Sequence, residues 1–389
     1  MPILEFMLVA SKPDTFEKLQ LLSRDSQYDL ACACGSNKFD RRTRDRSGKW
    51  IYPVTLPNGG TAMLFKTLIS NVCSSDCKYC PLRSNMDIRR CTLKPEEIVN
   101  TFLDYYNKGE VFGLFLSSGV IGTAEATMDK LITCAEILRK KHQFKGYIHL
   151  KILPGSSPAA IEKAISVSNA VSLNIETPGK EFLERLSNKK DFLRDIVEPM
   201  KLISRLTHQS RRKVKQTTQF IVGAAGETDQ HIINYTEALY KRMGLNRVYF
   251  SIYQHSNTEN RENTDMQDGF MREHRLYQVD FLFRKYGFTP SDIIYDSSGL
   301  LSIETDPKEI WAQKHPEFFP VSINTATKYE LLRVPGLGLT TVERVLERRK
   351  AAKICSIDDI GIIGKRLLKA SKYLNFGNLP QNKTFLFNF

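Results

Sequence analysis

The chain has 389 residues, 41% hydrophobic and 25% charged, an ordinary globular mix with enough length for a large domain and a smaller one. No apolar run nears the roughly 18 residues of a membrane span. Met1-Pro2-Ile3-Leu4-Glu5 lacks a basic stretch before an apolar core, and the eight cysteines do not space as a disulfide framework, so membrane and secreted classes are set aside and a cytoplasmic protein is expected. Net charge is +13, and Val321 to Phe389 alone holds 12 Lys and Arg against 5 Asp and Glu, which points to a polyanion partner.

In chain order, residues 1–60 read as an N-terminal extension. It has a helical stretch around Thr15 to Ser23, a thiol pair at Cys32 and Cys34, and a basic segment with Arg41, Arg42, Arg44 and Arg46. The thiol pair is a candidate second metal site or simply two thiols. The arginines read as phosphate contacts or as a solvated loop.

The apolar run Met63 to Ile69 reads as a strand, and directly behind it stands Cys73-Ser74-Ser75-Asp76-Cys77-Lys78-Tyr79-Cys80, a Cys-x3-Cys-x2-Cys triplet. Three thiolates on one loop do not close a four-coordinate site, so a metal or cluster held there keeps one position open for chemistry. Read as structural zinc, the triplet would need a fourth ligand, for which Cys32, Cys34 and Cys91 are the candidates.

From the strand at Met63 to Ser70 onward, apolar runs alternate regularly with helical patterns. Further strands are expected at Val111 to Ser117, Tyr147 to Ile152, Ala170 to Ile175, Thr217 to Val222 and Arg247 to Ile252. Helices are expected at Lys94 to Lys108, Ala124 to Lys141, Ala159 to Ser168, Asp191 to Ser210, Asp229 to Met243 and Met271 to Lys285. Pro95, Glu96 and Glu97 suit a first helical turn. Such βα units imply a parallel sheet flanked by helices.

Several strands alternate where a doubly covered parallel strand should be apolar throughout. Tyr147, His149 and Lys151 share one face. So do Ser172, Asn174 and Glu176, and likewise Tyr249, Ser251 and Tyr253. Polar residues facing a barrel interior are costly unless the interior holds a ligand, so these faces are taken as site lining, with Glu176, Tyr253 and Lys151 as candidate catalytic groups. The competing reading makes His149 or Lys151 part of a satisfied structural pair.

Residues 301–320 read as a linker. Beyond them Val321 to Ala326 leads to Tyr329-Glu330-Leu331-Leu332, then Val334-Pro335-Gly336-Leu337-Gly338, then a helical run Thr340 to Lys350 carrying Arg344 and Arg348. Ile357 to Arg366 looks like a degenerate second copy. This pattern is very similar to a helix-hairpin-helix motif, a resemblance that implies phosphate contacts through Pro335, Gly336, Gly338, Arg344 and Arg348.

The triplet spacing, with Tyr79 before the third cysteine and six βα units behind it, resembles the radical S-adenosylmethionine (SAM) superfamily. That resemblance implies an open six-unit (β/α) partial TIM barrel over residues 61–300, followed by a small all-α helix-hairpin-helix domain over 321–389. It also implies a 4Fe-4S cluster on Cys73, Cys77 and Cys80, with SAM on its open iron. Ser117, Ser118 and Gly119 stand where the superfamily holds the methionine amino group, although the usual acidic residue is missing. Phe220 to Thr228, with Gly223, resembles the segment along adenine, and Tyr79, Asn174 and Glu176 join the expected cofactor contacts. An electron donor such as flavodoxin or ferredoxin is implied as a partner.

Together with the hairpin region, nearly the whole chain resembles a family of radical SAM proteins assigned to DNA modification or repair. Modification or rearrangement of a DNA base is the reading favoured. Radical repair of a base lesion, RNA modification, and a nucleic-acid binding protein with a structural or redox-sensing cluster are the alternatives.

Overall fold

The computed structural model describes residues 13–26, 50–55, 60–253, 263–362 and 364–377. Cys32, Cys34 and the four arginines between 41 and 46 lie outside the described residues. The described chain divides into two compact units, one of residues 1–227 and 238–270, the other of residues 228–237 and 271–389.

The first unit is built on one seven-stranded sheet whose strands lie in sequence order, curled as a half-barrel. The strands are β1 (Ile51–Thr55), β2 (Thr61–Leu68), β3 (Gly113–Ser117), β4 (Tyr147–Lys151), β5 (Ala170–Ser172), β6 (Lys215–Val222) and β7 (Arg247–Ile252). From β2 to β7 all pairs are parallel, as six βα units require. β1 is an antiparallel edge strand that the sequence reading left inside the N-terminal extension. Its Trp50 end packs edge-on to Phe16 and Tyr105, so part of that extension finishes the sheet.

Helices cover the outer face: α1 (Thr15–Asp25), α2 (Pro95–Asn107), α3 (Ala124–Glu136), α4 (Pro158–Val167), α5 (Lys180–Leu186) and α6 (Glu198–Gln209); α7 (Asp229–Met243) belongs to the second unit up to Glu237 and to this one from Ala238. Their starts follow capping chemistry: Asp14, Thr123 and Ser157 each accept a backbone N–H of the first turn. Two of the expected helices are locally widened, at Ile137–Lys141 and Phe192–Val197, where the turns are π-helical. Phe65, Leu114, Leu116, Ile148, Leu150 and Val171 are fully buried on this outer side, with Phe65 and Phe102 edge to face.

In the second unit α8 (Asn263–Tyr286) continues from the first, and α9 (Pro307–Lys314), α10 (Lys328–Arg333), α11 (Leu339–Ala351) and α12 (Lys365–Ser371) follow. The region expected to be all-α also holds a short parallel pair, β8 (Val321–Ser322) with β9 (Leu374–Asn375). Residues 301–320, read from sequence as a linker, contain α9 and an aromatic cluster. There Arg333 pairs with Asp292 at 2.9 Å and lies 4.4 Å from the ring centres of both Phe288 and Trp311.

Candidate functional site

The cysteine loop leaves β2 at Leu68 and is held by its neighbours' backbones. Arg90 donates to the carbonyls of Asn71 (2.5 Å), Leu82 (2.7 Å), Arg83 (2.8 Å) and Met86 (3.0 Å), fixing both ends of the loop with one fork of donors. Asn71 closes the base by donating to Asp25 and receiving the Cys91 N–H. On the far side Asp76 accepts from Ser187 and from the Asn188 N–H, and Lys189 donates to the Ser74 carbonyl at 2.7 Å.

The turn after β3 presses directly on this loop. Gly119 donates its N–H to Ser70 O at 2.8 Å, and a Cβ on Gly119 would sit 2.4 Å from the Val72 carbonyl oxygen and 3.1 Å from Cys73 Cβ. The Val120 N–H points at Cys73 Sγ at 3.4 Å, and Ser118 Oγ donates to the Gly119 carbonyl at 2.6 Å. The structure thus sets Gly119 directly against Cys73, with Ser117 and Ser118 immediately before it.

The end of β5 supplies the opposite wall. Glu176 is 4% exposed and takes a left-handed conformation, φ +66, while still bonding to β6 through Gln219 O and the Ile221 N–H. A non-glycine residue is strained there. Lys190 Nζ stands 3.5 Å from that carboxylate and 6.0 Å from the Tyr79 ring centre, and Asn174 Nδ2 is 3.5 Å from Glu176 Oε2. Burial alone would lower the Lys190 pKa, yet the Cys77 sulfur and the Glu176 carboxylate beside it raise it. Burial pushes the Cys77 thiol up and the Cys80 thiol up to about 12, so a metal taking these sulfurs must displace protons. The Tyr79 hydroxyl is likewise held protonated, by burial and by Glu176, to which it donates.

Tyr79 and Ala224 pack on a small apolar cluster of Phe182, Leu186 and Ala225. The turn behind β6 that carries Ala224 and Ala225 is closed by Glu227, which accepts the N–H groups of Gly223 and Ala225, and by Arg185, which donates to Ala225 O at 2.8 Å. Gly223 has φ +82, so its place in the turn favours glycine. Sequence reasoning missed Lys190, Arg185 and Glu227. The signal available for Lys190 was a lysine pair immediately before the expected helix start at Asp191.

Residues 67–239 match the radical SAM superfamily. The chain carries a radical SAM domain. Members of this superfamily bind a 4Fe-4S cluster and S-adenosylmethionine, and those are its cofactors. No curated protein matches the sequence. Among solved structures it is similar to the FeFe-hydrogenase maturase HydG of Carboxydothermus hydrogenoformans, at 16% identity over 56% of this chain and 51% of that one, with a TM-score of 0.44. Methylornithine synthase is similar at 14% identity over 56% and 63%, TM-score 0.44. The radical S-adenosylmethionine methyltransferase TsrM of Kitasatospora setae is similar at 15% over 49% and 34%, TM-score 0.38. The chain spans about half the length of the first of these.

The donor set of the radical SAM domain suits a cluster. Among the described residues no three Cys, His, Asp or Glu side chains converge on one ion. A cubane asks for one thiolate on each of three irons, and Cys73, Cys77 and Cys80 share one loop closely enough that, beside burial, Cys73 helps raise the Cys77 thiol and both help raise the Cys80 thiol.

Inside the half-barrel, register puts the alternating polar residues on one face. Lys66 pairs with Phe115 and Phe115 with His149; one layer along, Lys151, Ser172, Thr217 and Arg247 follow across four strands. Lys66 Nζ lies 4.6 Å from the Phe115 ring centre, and His149 Nε2 meets Ser172 Oγ at 3.0 Å. His149 is therefore a bonded side chain of the lining. Gln219 adds a residue that the sequence reading passed over: it is 6% exposed, and its Nε2 has no hydrogen-bond partner among the described residues. Tyr253 follows β7, with its N–H on Val222 O at 2.8 Å.

In the second unit, Pro335 is buried and Gly336 (φ +88) is packed so closely that a Cβ would lie 2.1 Å from the Arg366 carbonyl oxygen. Lys308 Nζ donates to Leu337 O at 2.6 Å, and the Leu339 N–H is bonded to the Tyr286 hydroxyl. Arg344 and Arg348 donate to the carbonyls of Ile360 and Asp359. The Pro335 to Gly338 turn is thus braced inside its unit. The turn before α12 is open: a Cβ on Gly364 meets nothing within 4 Å, Ile362 is 96% exposed, and Lys365 and Arg366 are exposed.

Proposed function

We propose that this radical SAM enzyme acts on nucleic acid and modifies or rearranges a DNA base. The observation that carries the nucleic-acid reading is the paired glycine turns of the second unit, α10 to α11 and again before α12, an arrangement like two helix-hairpin-helix elements, one of them braced by Lys308 and Tyr286 and the other open beside Lys365 and Arg366. Exposed backbone and cations at such a turn suit phosphate contacts that position a duplex without reading its sequence.

When bound, the cluster and S-adenosylmethionine supply a 5'-deoxyadenosyl radical that removes a hydrogen atom from the substrate. In this reading Cys73, Cys77 and Cys80 hold three irons and the Ser117 to Gly119 turn fixes Cys73. Lys190 and Glu176 offer opposite charges to the zwitterionic methionine end, with Asn174 beside them. Tyr79 and Gly223 flank adenine. Lys151 and Tyr253, at the polar face, are the candidate catalytic groups toward the substrate. An electron donor of the flavodoxin or ferredoxin kind completes the reaction.

The test is isotopic. Anaerobically reconstituted enzyme is incubated with deuterated duplex DNA and, in parallel, deuterated RNA, and 5'-deoxyadenosine is analysed by mass. Deuterium from DNA is expected. Label from RNA alone, or S-adenosylmethionine cleavage with label from neither, defeats the DNA reading.

A further inference from the structure

We infer that the radical SAM domain has a second phosphate-binding surface of its own, a basic pocket between the C-terminal ends of α6 and α7, and that it takes the backbone of the nucleic-acid substrate. The pocket, about 500 Å³, is lined by Lys201, Arg205, His208, Lys241, Arg242 and the loop at Gly244, all within the first unit.

Its floor is made of satisfied groups. Ser204 Oγ donates to Met243 O at 2.7 Å, and His208 donates through Nδ1 to Ser204 O, also at 2.7 Å. Gly244, at φ +60, lets the imidazole lie against the turn, since a Cβ there would come 2.7 Å from His208 Nε2. Its rim is charged: Lys201, Arg205, Lys241 and Arg242 are all exposed. Residues 201–215 contain six Lys and Arg and no Asp or Glu. Of these Arg212 is engaged with Ser166 O, and Lys201 has Glu198 at 2.8 Å. Arg205 and Arg242 remain on the rim with no carboxylate partner among the described residues, and like charges within a Debye length of one another repel unless an anion lies among them.

Placement selects the anion. The pocket is at the N-terminal ends of β6 and β7, whereas the cysteine loop follows the C-terminal end of β2. β6 has eight residues, so the two sites are separated by on the order of 25 Å of strand. An acidic electron-donor protein must deliver its electron near the cysteines and gains nothing at this end. A polyanionic strand can run across it. The choice of nucleic acid rests on the function proposed above; the pocket and its charge do not.

The test uses the full-length reconstituted protein and a short fluorescein-labelled duplex, with binding followed by anisotropy across a salt series. Variants are Lys201→Ala/Arg205→Ala/Arg242→Ala and, separately, Lys365→Ala/Arg366→Ala. Melting temperature and substrate-free S-adenosylmethionine cleavage report that each remains folded. Loss of three phosphate contacts flattens the slope of log affinity against log salt by about 2 to 3 and weakens binding at about 0.1 M salt on the order of 100-fold. A triple variant with wild-type slope and affinity overturns the inference; if the Lys365/Arg366 variant is weakened in the same experiment, the functional reading stands. Wild-type protein that binds no nucleic acid overturns both. If the triple variant binds duplex normally but accepts electrons from flavodoxin more slowly, the patch belongs to a protein partner and the inference is wrong.

Discussion

Gly119→Ala is the sharpest single test of how the cofactor site is built. The added methyl carbon would lie 2.4 Å from the Val72 carbonyl oxygen and 3.1 Å from Cys73 Cβ. An ordinary C···O contact is about 3.3 Å, so the two backbones must part by about 0.9 Å. Neither can yield freely, because Gly119 is tied to Ser70 O and the next N–H faces Cys73 Sγ. Overpacking of this kind costs about 1 to 3 kcal/mol. For a unit of this size that is a fall in melting temperature of about 2 to 12 °C. The displaced segment carries Cys73, so iron and sulfide per chain and the cluster absorbance after anaerobic reconstitution should fall with it. Gly364→Ala is the matched control: its Cβ meets nothing within 4 Å, so the change costs only the poorer helix cap at the start of α12, about 0.5 to 1 kcal/mol, and should leave iron content unchanged. Wild-type melting and full iron content in Gly119→Ala would refute the reasoning.

Replacing Cys73, Cys77 and Cys80 together by Ala should abolish cluster absorbance and reductive cleavage of S-adenosylmethionine, while replacing Cys32 and Cys34 should leave both; a cluster retained in the triple variant would reassign the loop. Glu176→Gln leaves an amide oxygen for Lys190 but removes the charge, so cleavage per iron should drop on the order of tenfold or more with the cluster kept; equal activity would make the pair structural. Lys308, whose pKa burial lowers from 10.5 to about 7, gives the second unit a pH signature. Between those values the unfolded chain binds the extra proton, so stability should rise with pH from about 7 toward 10. Urea unfolding of wild type and Lys308→Met at about pH 7 and about pH 9 checks this, and the same pH dependence in both would count against it.

The sequence by itself determined the order of elements and the chemistry of the cysteine loop. Periodicity is local: apolar runs and cap residues mark β2 to β7 and most of the helices between them to within a few residues, the short α5 between β5 and β6 being the helix they missed, and three thiols at fixed spacing keep their meaning wherever the chain takes them. The alternation in β4, β5 and β7 also announced a polar inner face, since side-chain direction follows from strand geometry alone. Edge strand β1 was not legible, because a short strand containing Pro53 acquires its partner only through the sheet. Lys190 was hidden for a related reason: nothing local distinguishes it from Lys189, and only the fold sets one on a loop carbonyl and the other between Cys77 and Glu176. The two glycine turns show the same division. Both stretches were expected from sequence to be copies of one motif, yet burial of the turn at Gly336 and exposure of the turn at Gly364 were decided by packing against Arg366, Lys308 and Tyr286. That packing brings together segments distant in sequence, and such contacts leave no periodic trace along the chain.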